Sequence, residues 1–195
     1  MNFKRHVLKN LEAWKASNNR KPLILRGARQ VGKTTLVTEF AKSYDFFISL
    51  NLEKTSDKEF FEAYDDVNTI VESLLLSNNI TADQQQNTLL FIDEIQELPK
   101  AIQLLRYFFE EVPELHVIAA GSLLEFAVKE VESFPVGRVE FLYLYPLNFS
   151  EYLQAINHIV AFEHLRSVPI NPIAHKTLQG LFHRYAIIGG MPEVV

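Results

Sequence analysis

The sequence predicts an α/β fold in which helices cover both faces of a parallel β-sheet, followed by a smaller helical unit. Five short apolar segments with strand composition alternate with helical patterns, and this alternation is typical of a buried parallel sheet. A glycine-containing turn joins the first strand to a helix, and only helical patterns remain from Pro146 onward. We therefore expect a core over residues 1–145 and a helical lid over residues 146–195.

The individual elements follow from the same patterns. An amphipathic helix is expected near residues 3–17, and a second helix near residues 34–43 follows the glycine-containing turn. A third helix is expected at 58–76, a polar connector spans 77–87, and further helices are expected at 99–112 and after the fourth strand. The five predicted strands comprise residues 22–26, 46–51, 88–93, 115–120 and 139–144.

The turn after the first strand matches the phosphate-binding pattern G-x-x-x-x-G-K-[ST] at every fixed position. Its glycines let the backbone approach phosphates closely, so that successive N–H groups and the positive end of the next helix face one anion. In this pattern Lys33 reaches the β- and γ-phosphates, Thr34 offers its hydroxyl to Mg2+, and Thr35 contacts the α-phosphate. The ligand-binding residues are expected to be Gly27, Ala28, Arg29, Gln30, Val31, Gly32, Lys33, Thr34 and Thr35. This pattern predicts a nucleoside triphosphate as the ligand.

Two acidic residues, Asp93 and Glu94, end the apolar third strand. Open α/β sheets bind ligands beside the carboxyl ends of their strands, so these carboxylates should face the phosphate-binding loop. We expect Asp93 to hold Mg2+, directly or through water, and Glu94 to orient or polarise the water that attacks the γ-phosphate. An acidic pair is a weak signal alone, and the preceding phosphate-binding pattern strengthens it.

Composition limits the class of protein. Of the 195 residues, 48% are hydrophobic and 22% are charged, which is ordinary for a folded domain. The chain contains no cysteine, which excludes disulfides and thiolate metal sites, and its six histidines lack the spacing of a zinc site. No apolar run resembles a signal peptide or approaches the ~20 residues of a membrane span, so we expect a cytoplasmic protein without membrane contact.

Positive charge is concentrated near the N-terminus. Residues 1–35 contain nine Lys or Arg and one acid, a net charge of +8, although the whole chain carries −5. Nucleotide phosphates explain part of this charge. A solvated helix face is our preferred explanation of the rest, and contact with a nucleic acid is the alternative.

Together, these motifs resemble the AAA+ ATPases. The resemblance narrows to a bacterial and archaeal subfamily in which an ATPase core precedes a C-terminal domain of unsettled function. It implies a P-loop NTPase fold with a five-stranded sheet of order 5-1-4-3-2. Such relatives are usually about twice as long, so we expect this chain to be the N-terminal ATPase part with an incomplete lid. The segments that carry the resemblance are the loop up to Thr35, Ile92-Asp93-Glu94-Ile95-Gln96, Ala120-Gly121-Ser122, Gly137-Arg138, Tyr145-Pro146-Leu147 and Gly189-Gly190-Met191-Pro192-Glu193.

The resemblance adds two candidate catalytic residues to Lys33 and Glu94. Ser122 corresponds to a sensor that bonds the attacking water or the γ-phosphate, while its alternative role is a capping box with Glu125. Arg138 corresponds to the arginine finger by which one subunit of an oligomer reaches its neighbour's γ-phosphate. The alternative for Arg138 is an exposed ion pair with Glu140 or another nearby acid, which contributes little.

We interpret the chain as a Mg2+-dependent ATPase module that binds and hydrolyses ATP and uses the bound state to reposition its lid or a partner. A nucleotide-gated interaction module with little turnover and a P-loop kinase are the alternatives, whereas the Asn-Lys-x-Asp motif of GTPases is absent. Partners include a second copy of the chain through Arg138, a protein client or a nucleic acid. Three further residues have two interpretations each. Arg29 either contacts a phosphate or points to solvent, and Gln96 either assists Glu94 or begins a helix. Trp14 either packs on the sheet or borders the nucleotide base.

Overall fold

A five-stranded parallel sheet forms the centre of the fold, which a computed structural model describes for residues 4–122 and 134–195. The strand order is β2-β3-β4-β1-β5, and every pair of neighbours is parallel. This confirms the expected order 5-1-4-3-2. The strands are β1 (Leu23–Arg26), β2 (Phe46–Asn51), β3 (Thr88–Asp93), β4 (His116–Gly121) and β5 (Glu140–Tyr143).

Helices flank the sheet and follow it. The described residues also include two short 3-10 turns, Ala82–Asn87 and Ile95–Glu97. Among the described helices, none is long and apolar enough to cross a membrane. The helices are α1 (Leu8–Lys15), α2 (Lys33–Ala41), α3 (Thr55–Glu62), α4 (Val67–Ser77), α5 (Pro99–Glu111), α6 (Phe149–Ala155), α7 (Ile159–His164) and α8 (Pro172–Ile188).

Alternate residues of β3 supply the two hydrophobic layers of the core. Leu90 and Ile92 face a cluster that includes the apolar sides of α4 and α5, whereas Leu89 and Phe91 face one built with α1 and α2. All six residues of β3 are buried, as expected for a central strand covered on both faces. The three-layer α/β/α arrangement is therefore confirmed.

The expected helix over residues 58–76 is wrong, because the structure has two helices there. Asp66 adopts an extended backbone conformation, and its side chain accepts a hydrogen bond from the N–H of Thr69 at 2.8 Å. Aspartate competes well for this capping position, so a new helix begins after Asp66, whereas the preceding helix has already ended at Glu62. The apolar spacing continues through the break, which is why the pattern suggested one helix.

Smaller differences concern the ends of elements. The first helix is shorter than expected, the connector contains a 3-10 turn, and β4 lies one residue later than expected. Element ends are the least predictable part of a pattern because terminal turns fray. The predicted helix after β4 lies at residues 123–133, outside the described residues, and so does the Glu125 half of the capping box.

Helices α6, α7 and α8 pack around a small cluster of their own. Its buried members are Tyr152, Leu153, Ala161 and Leu178. The segment joins the sheet region through Leu147, whose N–H donates to the carbonyl of Gly190 at 2.6 Å and whose carbonyl accepts from the Tyr185 hydroxyl at 2.8 Å. These contacts place α6 to α8 beside the carboxyl edge of the sheet.

Candidate nucleotide-binding site

The phosphate-binding loop lies between β1 and α2, and its two glycines are needed for different physical reasons. Gly32, the residue before α2, has a φ of 94°, a left-handed conformation in which any side chain is strained. A Cβ added to Gly27 would lie 2.5 Å from the carbonyl oxygen of Leu144, just beyond β5. Gly32 thus gives the turn its shape, and Gly27 lets the loop pack against the chain after β5.

Lys33 spans the inside of this loop. Its ammonium donates to the carbonyls of Gly27 at 2.9 Å and Ala28 at 3.0 Å, and the side chain is almost completely buried. Burial lowers the pKa of the Lys33 ammonium, while the negative charges of Glu94 and Asp93 partly oppose this effect. Lys33 also lines the adjacent cleft, so its charge is available to an anionic ligand.

Thr34 and Asp93 meet at the boundary between the loop and the sheet. The hydroxyl of Thr34 donates to Oδ2 of Asp93 at 2.7 Å, and Oδ1 of Asp93 accepts from the N–H of Glu94 at 3.0 Å. Mg2+ prefers oxygen ligands and takes only one or two from protein carboxylates when phosphates supply others. The adjacent hydroxyl and carboxylate oxygens therefore fit Mg2+. In the described part of the chain, no group of three or more His, Asp or Glu could hold a metal alone.

Glu94 occupies an unusual position at the end of β3. Its backbone is left-handed, with a φ of 51° and a ψ of 44°, and its side chain lines the same cleft as Lys33. Non-glycine residues in this conformation are uncommon and concentrate at functional sites. One oxygen of Glu94 accepts a hydrogen bond from the side-chain amide of Gln96 at 2.5 Å.

The cleft has a volume of about 1370 Å³ and is bounded by the N-terminal segment, the phosphate-binding loop and the C-terminal helices. Ligand pockets typically measure about 300 to 1,000 Å³, so a nucleotide fits with room to spare. Phe162 and Pro192 contribute apolar surface to the wall formed by the C-terminal residues. Among the described residues, six lysines and arginines border the cleft: Lys4, Arg5, Lys9, Arg29, Lys33 and Arg166.

Arg5 connects three parts of this site and was not predicted from the sequence. Its guanidinium donates to the carbonyls of Val31 in the loop, at 3.1 Å, and Tyr145 beyond β5. It also lies 3.5 Å from the carboxylate of Glu151 on α6, which accepts from the N–H of His6 at 2.7 Å. Burial lowers the pKa of Arg5, and the charge of Glu151 partly restores it.

Several N-terminal cations have structural contacts of the same kind. Lys15 donates to the carbonyl of Ser43 and lies over the ring of Tyr44, and Arg20 donates to the carbonyls of Lys15 and Pro113. Part of the positive charge near the N-terminus therefore stabilises the fold. Lys4, Lys9 and Arg29 instead line the cleft.

The remaining predicted residues occupy distinct places. Ser122 follows β4 directly, at the sheet edge that also carries Asp93. Arg138 donates to Glu110 of α5 at 2.7 Å, so its partner within the chain is Glu110 rather than Glu140. Arg138 does not border the cleft of its own chain. Trp14 packs against Phe40 and His116 and does not border the cleft either.

The strand order, the phosphate-binding loop and the acids after β3 define a P-loop ATPase-like domain. Residues 19–153 match a family model described as an AAA domain, and the chain belongs to that family. The sequence resemblance to AAA+ ATPases is thereby confirmed. No protein with a curated description matches the chain significantly in sequence.

Solved structures support the same fold. The Walker-type ATPase PABY2304 of Pyrococcus abyssi is similar with a TM-score of 0.56 and 16% identity, over 97% of this chain and 64% of that one. A structure of Drosophila ORC bound to DNA is similar with a TM-score of 0.54 and 16% identity, over 92% of this chain and 55% of that one. The chain thus spans less than two thirds of the length of either protein.

Proposed function

We propose that the chain is a Mg2+-dependent ATPase module that couples the nucleotide state to movement of its C-terminal helices. The observation that carries this proposal is the contact between Thr34 and Asp93 at 2.7 Å, with Lys33 and Glu94 beside it in one cleft. Phosphate binding alone does not require carboxylates near the loop. Hydrolysis uses two of them, one hydrogen-bonded to the hydroxyl that binds the metal and a second at the wall of the cleft.

Each residue then has a chemical task. The backbone N–H groups of the loop and the ammonium of Lys33 bind the β- and γ-phosphates, and Thr34 and Asp93 are the residues that would hold Mg2+. When bound, Mg2+ supplies neutralisation of phosphate charge. Glu94 orients the attacking water and accepts its proton as the water oxygen bonds to the γ-phosphorus, while the bond from that phosphorus to the bridging oxygen breaks and ADP leaves. Lys33 lies close to both carboxylates, so its charge also limits their mutual repulsion.

The test is hydrolysis of ATP and GTP by the wild type and two variants. Lys33→Ala should weaken ATP binding strongly, and Glu94→Gln should keep binding while lowering kcat by a factor of about 100 or more. Unchanged activity in Lys33→Ala would overturn the proposal. Tight ATP binding with no hydrolysis in the wild type would favour a nucleotide-gated interaction module, and phosphate transfer to an added acceptor without background hydrolysis would favour a kinase.

Two further site residues belong to the proposal. Ser122 follows β4 at the sheet edge that also carries Asp93, and its proposed role is to sense the γ-phosphate. Ser122→Ala should lower kcat with little change in melting temperature. Arg138 is proposed to act on a second copy after releasing Glu110. Specific activity should then rise with protein concentration in the wild type and stay flat in Arg138→Ala. Activity independent of concentration would argue against the second copy.

Coupling to the C-terminal helices is proposed to run through Arg5 and Glu151. A ligand that shifts the phosphate-binding loop also shifts the Val31 carbonyl, to which Arg5 donates, and Arg5 in turn faces Glu151 on α6. Both side chains are buried, so a disturbed geometry is costly and favours a new arrangement of α6.

Hydrogen exchange with and without ATP tests this coupling. In the wild type, ATP should increase or decrease exchange in α6 to α8, and Glu151→Gln should reduce that response. Lys100→Gln is the matched control, because Lys100 forms an exposed pair with Asp65 away from the cleft. An equal response in wild type and Glu151→Gln would contradict the coupling and leave the ATPase proposal intact.

A further inference from the structure

The side-chain amide of Gln96 holds the carboxylate of Glu94. Nε2 of Gln96 donates to Oε2 of Glu94 at 2.5 Å. Glu94 borders the cleft, whereas Gln96 is partly buried and is not among the described residues that border the cleft. Gln96 is therefore placed to act on Glu94 and not on a ligand.

The other end of the Gln96 side chain has no partner in the described part of the chain. Its Oε1 is buried and accepts no hydrogen bond from any residue that the structure describes. The amide orientation is fixed by chemistry, because an ionised carboxylate only accepts hydrogen bonds and must face the NH2 group. A buried carbonyl without a partner is costly, and an apolar side chain of similar size would avoid that cost. What Gln96 contributes in return is the bond to Glu94.

Glu94 is restrained at its backbone as well. Its N–H donates to Asp93 at 3.0 Å, and its carbonyl accepts from the N–H of Glu97 at 3.0 Å, which maintains the left-handed conformation. With the main chain held in this way, the side-chain torsions are the freedom that remains. The bond from Gln96 removes most of it and leaves the second carboxylate oxygen to accept a hydrogen bond from water.

We infer that Gln96 is a positioning residue for hydrolysis, which holds the Glu94 carboxylate in the orientation that meets the attacking water. The inference rests on the proposed role of Glu94 as the group that directs this water. Gln96 acts through Glu94 and takes no proton itself. Its effect is on the orientation of the base, so it should change kcat and leave nucleotide affinity unchanged.

The first test detects the bond in the ligand-free protein. With 15N-labelled glutamine, the NH2 signals of Gln96 should be shifted and slow in exchange with solvent, and Glu94→Ala should abolish both features. Gln103, a partly buried glutamine on α5 outside the cleft, is the control whose signals should not change. Gln96 signals that are identical in wild type and Glu94→Ala would overturn the inference.

The second test is kinetic. Gln96→Leu should lower kcat by about 10-fold to 100-fold, with KM and the ATP Kd changed by less than about twofold. Its melting temperature should be equal to or above that of the wild type, because the unsatisfied carbonyl is gone. Gln96→Met keeps an unbranched side chain and should show the same loss of kcat as Gln96→Leu. It provides the same test if the leucine variant does not fold.

A double-mutant cycle separates positioning from a structural role. In the Glu94→Gln background, Gln96→Leu should cause no further loss, because the group that it positions has already been disabled. Losses that add in the double variant, or a kcat loss that parallels a fall in melting temperature, would overturn the inference. Full turnover by Glu94→Gln would overturn the proposed function and this inference together. Unchanged kcat in Gln96→Leu, with Glu94→Gln inactive, would overturn this inference alone.

Discussion

The sheet region and the C-terminal helices bury their side chains to very different extents. Every residue of β3 and β4 is buried, and the two clusters on either side of the sheet continue into α1, α2, α4 and α5. In contrast, α8 is 17 residues long, and Leu178 is its one buried residue. Ile173 and Ile187 on the same helix are 80% and 84% exposed.

This difference assigns different mechanical properties to the two regions. Free energy of unfolding derives mainly from buried apolar surface, so the sheet region carries the global stability. Helices with few buried contacts open at lower free energy, and moving elements of proteins come from such regions. The cleft lies where the two regions meet. We therefore expect its phosphate-binding wall to be displaced less easily than the wall formed by the C-terminal helices.

The largest expected effect comes from truncating a buried side chain of the interior strand β3. Phe91→Ala removes a fully buried ring from β3 and should lower the global free energy of unfolding by about 3–5 kcal/mol. Leu178→Ala should lower the stability of α6 to α8 by about 2 kcal/mol and leave the sheet region folded. Urea unfolding measures the first effect, and native-state hydrogen exchange measures the second. Equal losses of global stability would show that the two regions unfold as one.

An intermediate effect is expected at the contact between the regions. A Cβ added to Gly190 would lie 2.0 Å from the carbonyl oxygen of Leu147, which no side-chain rearrangement can relieve. Gly190→Ala should therefore displace the chain after α8, cost about 1–3 kcal/mol and weaken ATP binding. Gly180→Ala on α8 is the control, because its added Cβ meets no atom of the described residues within 4 Å, and it should slightly stabilise the helix.

Much of the fold was accessible from the sequence because buried parallel strands are continuous apolar runs. All five strands were found within about one residue, yet their spatial order came only from the family resemblance, since local patterns do not encode which strands pair. The error at residues 58–76 has a local cause. Apolar spacing continues through Asp66 and suggests one helix, whereas the capping preference of that aspartate decides where the second helix begins.

The residues of the site likewise include some that the sequence could predict and some that it could not. Thr34 and Asp93 belong to short motifs with a known geometry, and the structure brings their side chains into hydrogen-bond contact. Arg5 and Glu151 belong to no motif, and their contact depends on how distant segments pack around the cleft. The hydrogen bond from Gln96 to Glu94 was within reach of the sequence, since both lie in one motif, but its geometry depends on the left-handed backbone of Glu94.

The sheet region should also be more sensitive to acid than the C-terminal helices. Burial, helped by the charges of Arg20 and Lys15, lowers the pKa of His116 to about 3. Below about pH 6.5 this histidine therefore binds a proton in the unfolded chain but stays neutral in the native state. The free energy of unfolding decreases as the pH falls from there toward pH 3. The slope approaches about 1.4 kcal/mol per pH unit.

Comparison with a neutral variant isolates this effect. Urea unfolding between about pH 7 and pH 5 should show a steeper loss of stability for the wild type than for His116→Gln, before carboxylates begin to titrate. Hydrogen exchange in α8 should change less over this range, because His116 lies at the start of β4. Equal pH slopes for the two proteins would contradict a buried neutral His116.

The smallest expected effect tests whether the C-terminal helices can be loosened without disturbing the sheet. Asn148 caps α6 by accepting from the N–H of Glu151 at 2.9 Å, and the Glu151 carboxylate accepts from the N–H of Asn148 at 3.0 Å in return. Asn148→Ala should cost about 1 kcal/mol of helix stability. Because Glu151 also faces Arg5, the loss should appear as faster exchange in α6 and weaker coupling to ATP, with the urea midpoint of the sheet region unchanged. A fall in that midpoint without faster exchange in α6 would mean that the cap supports the whole fold, and that the contrast between the two regions is one of burial and not of stability.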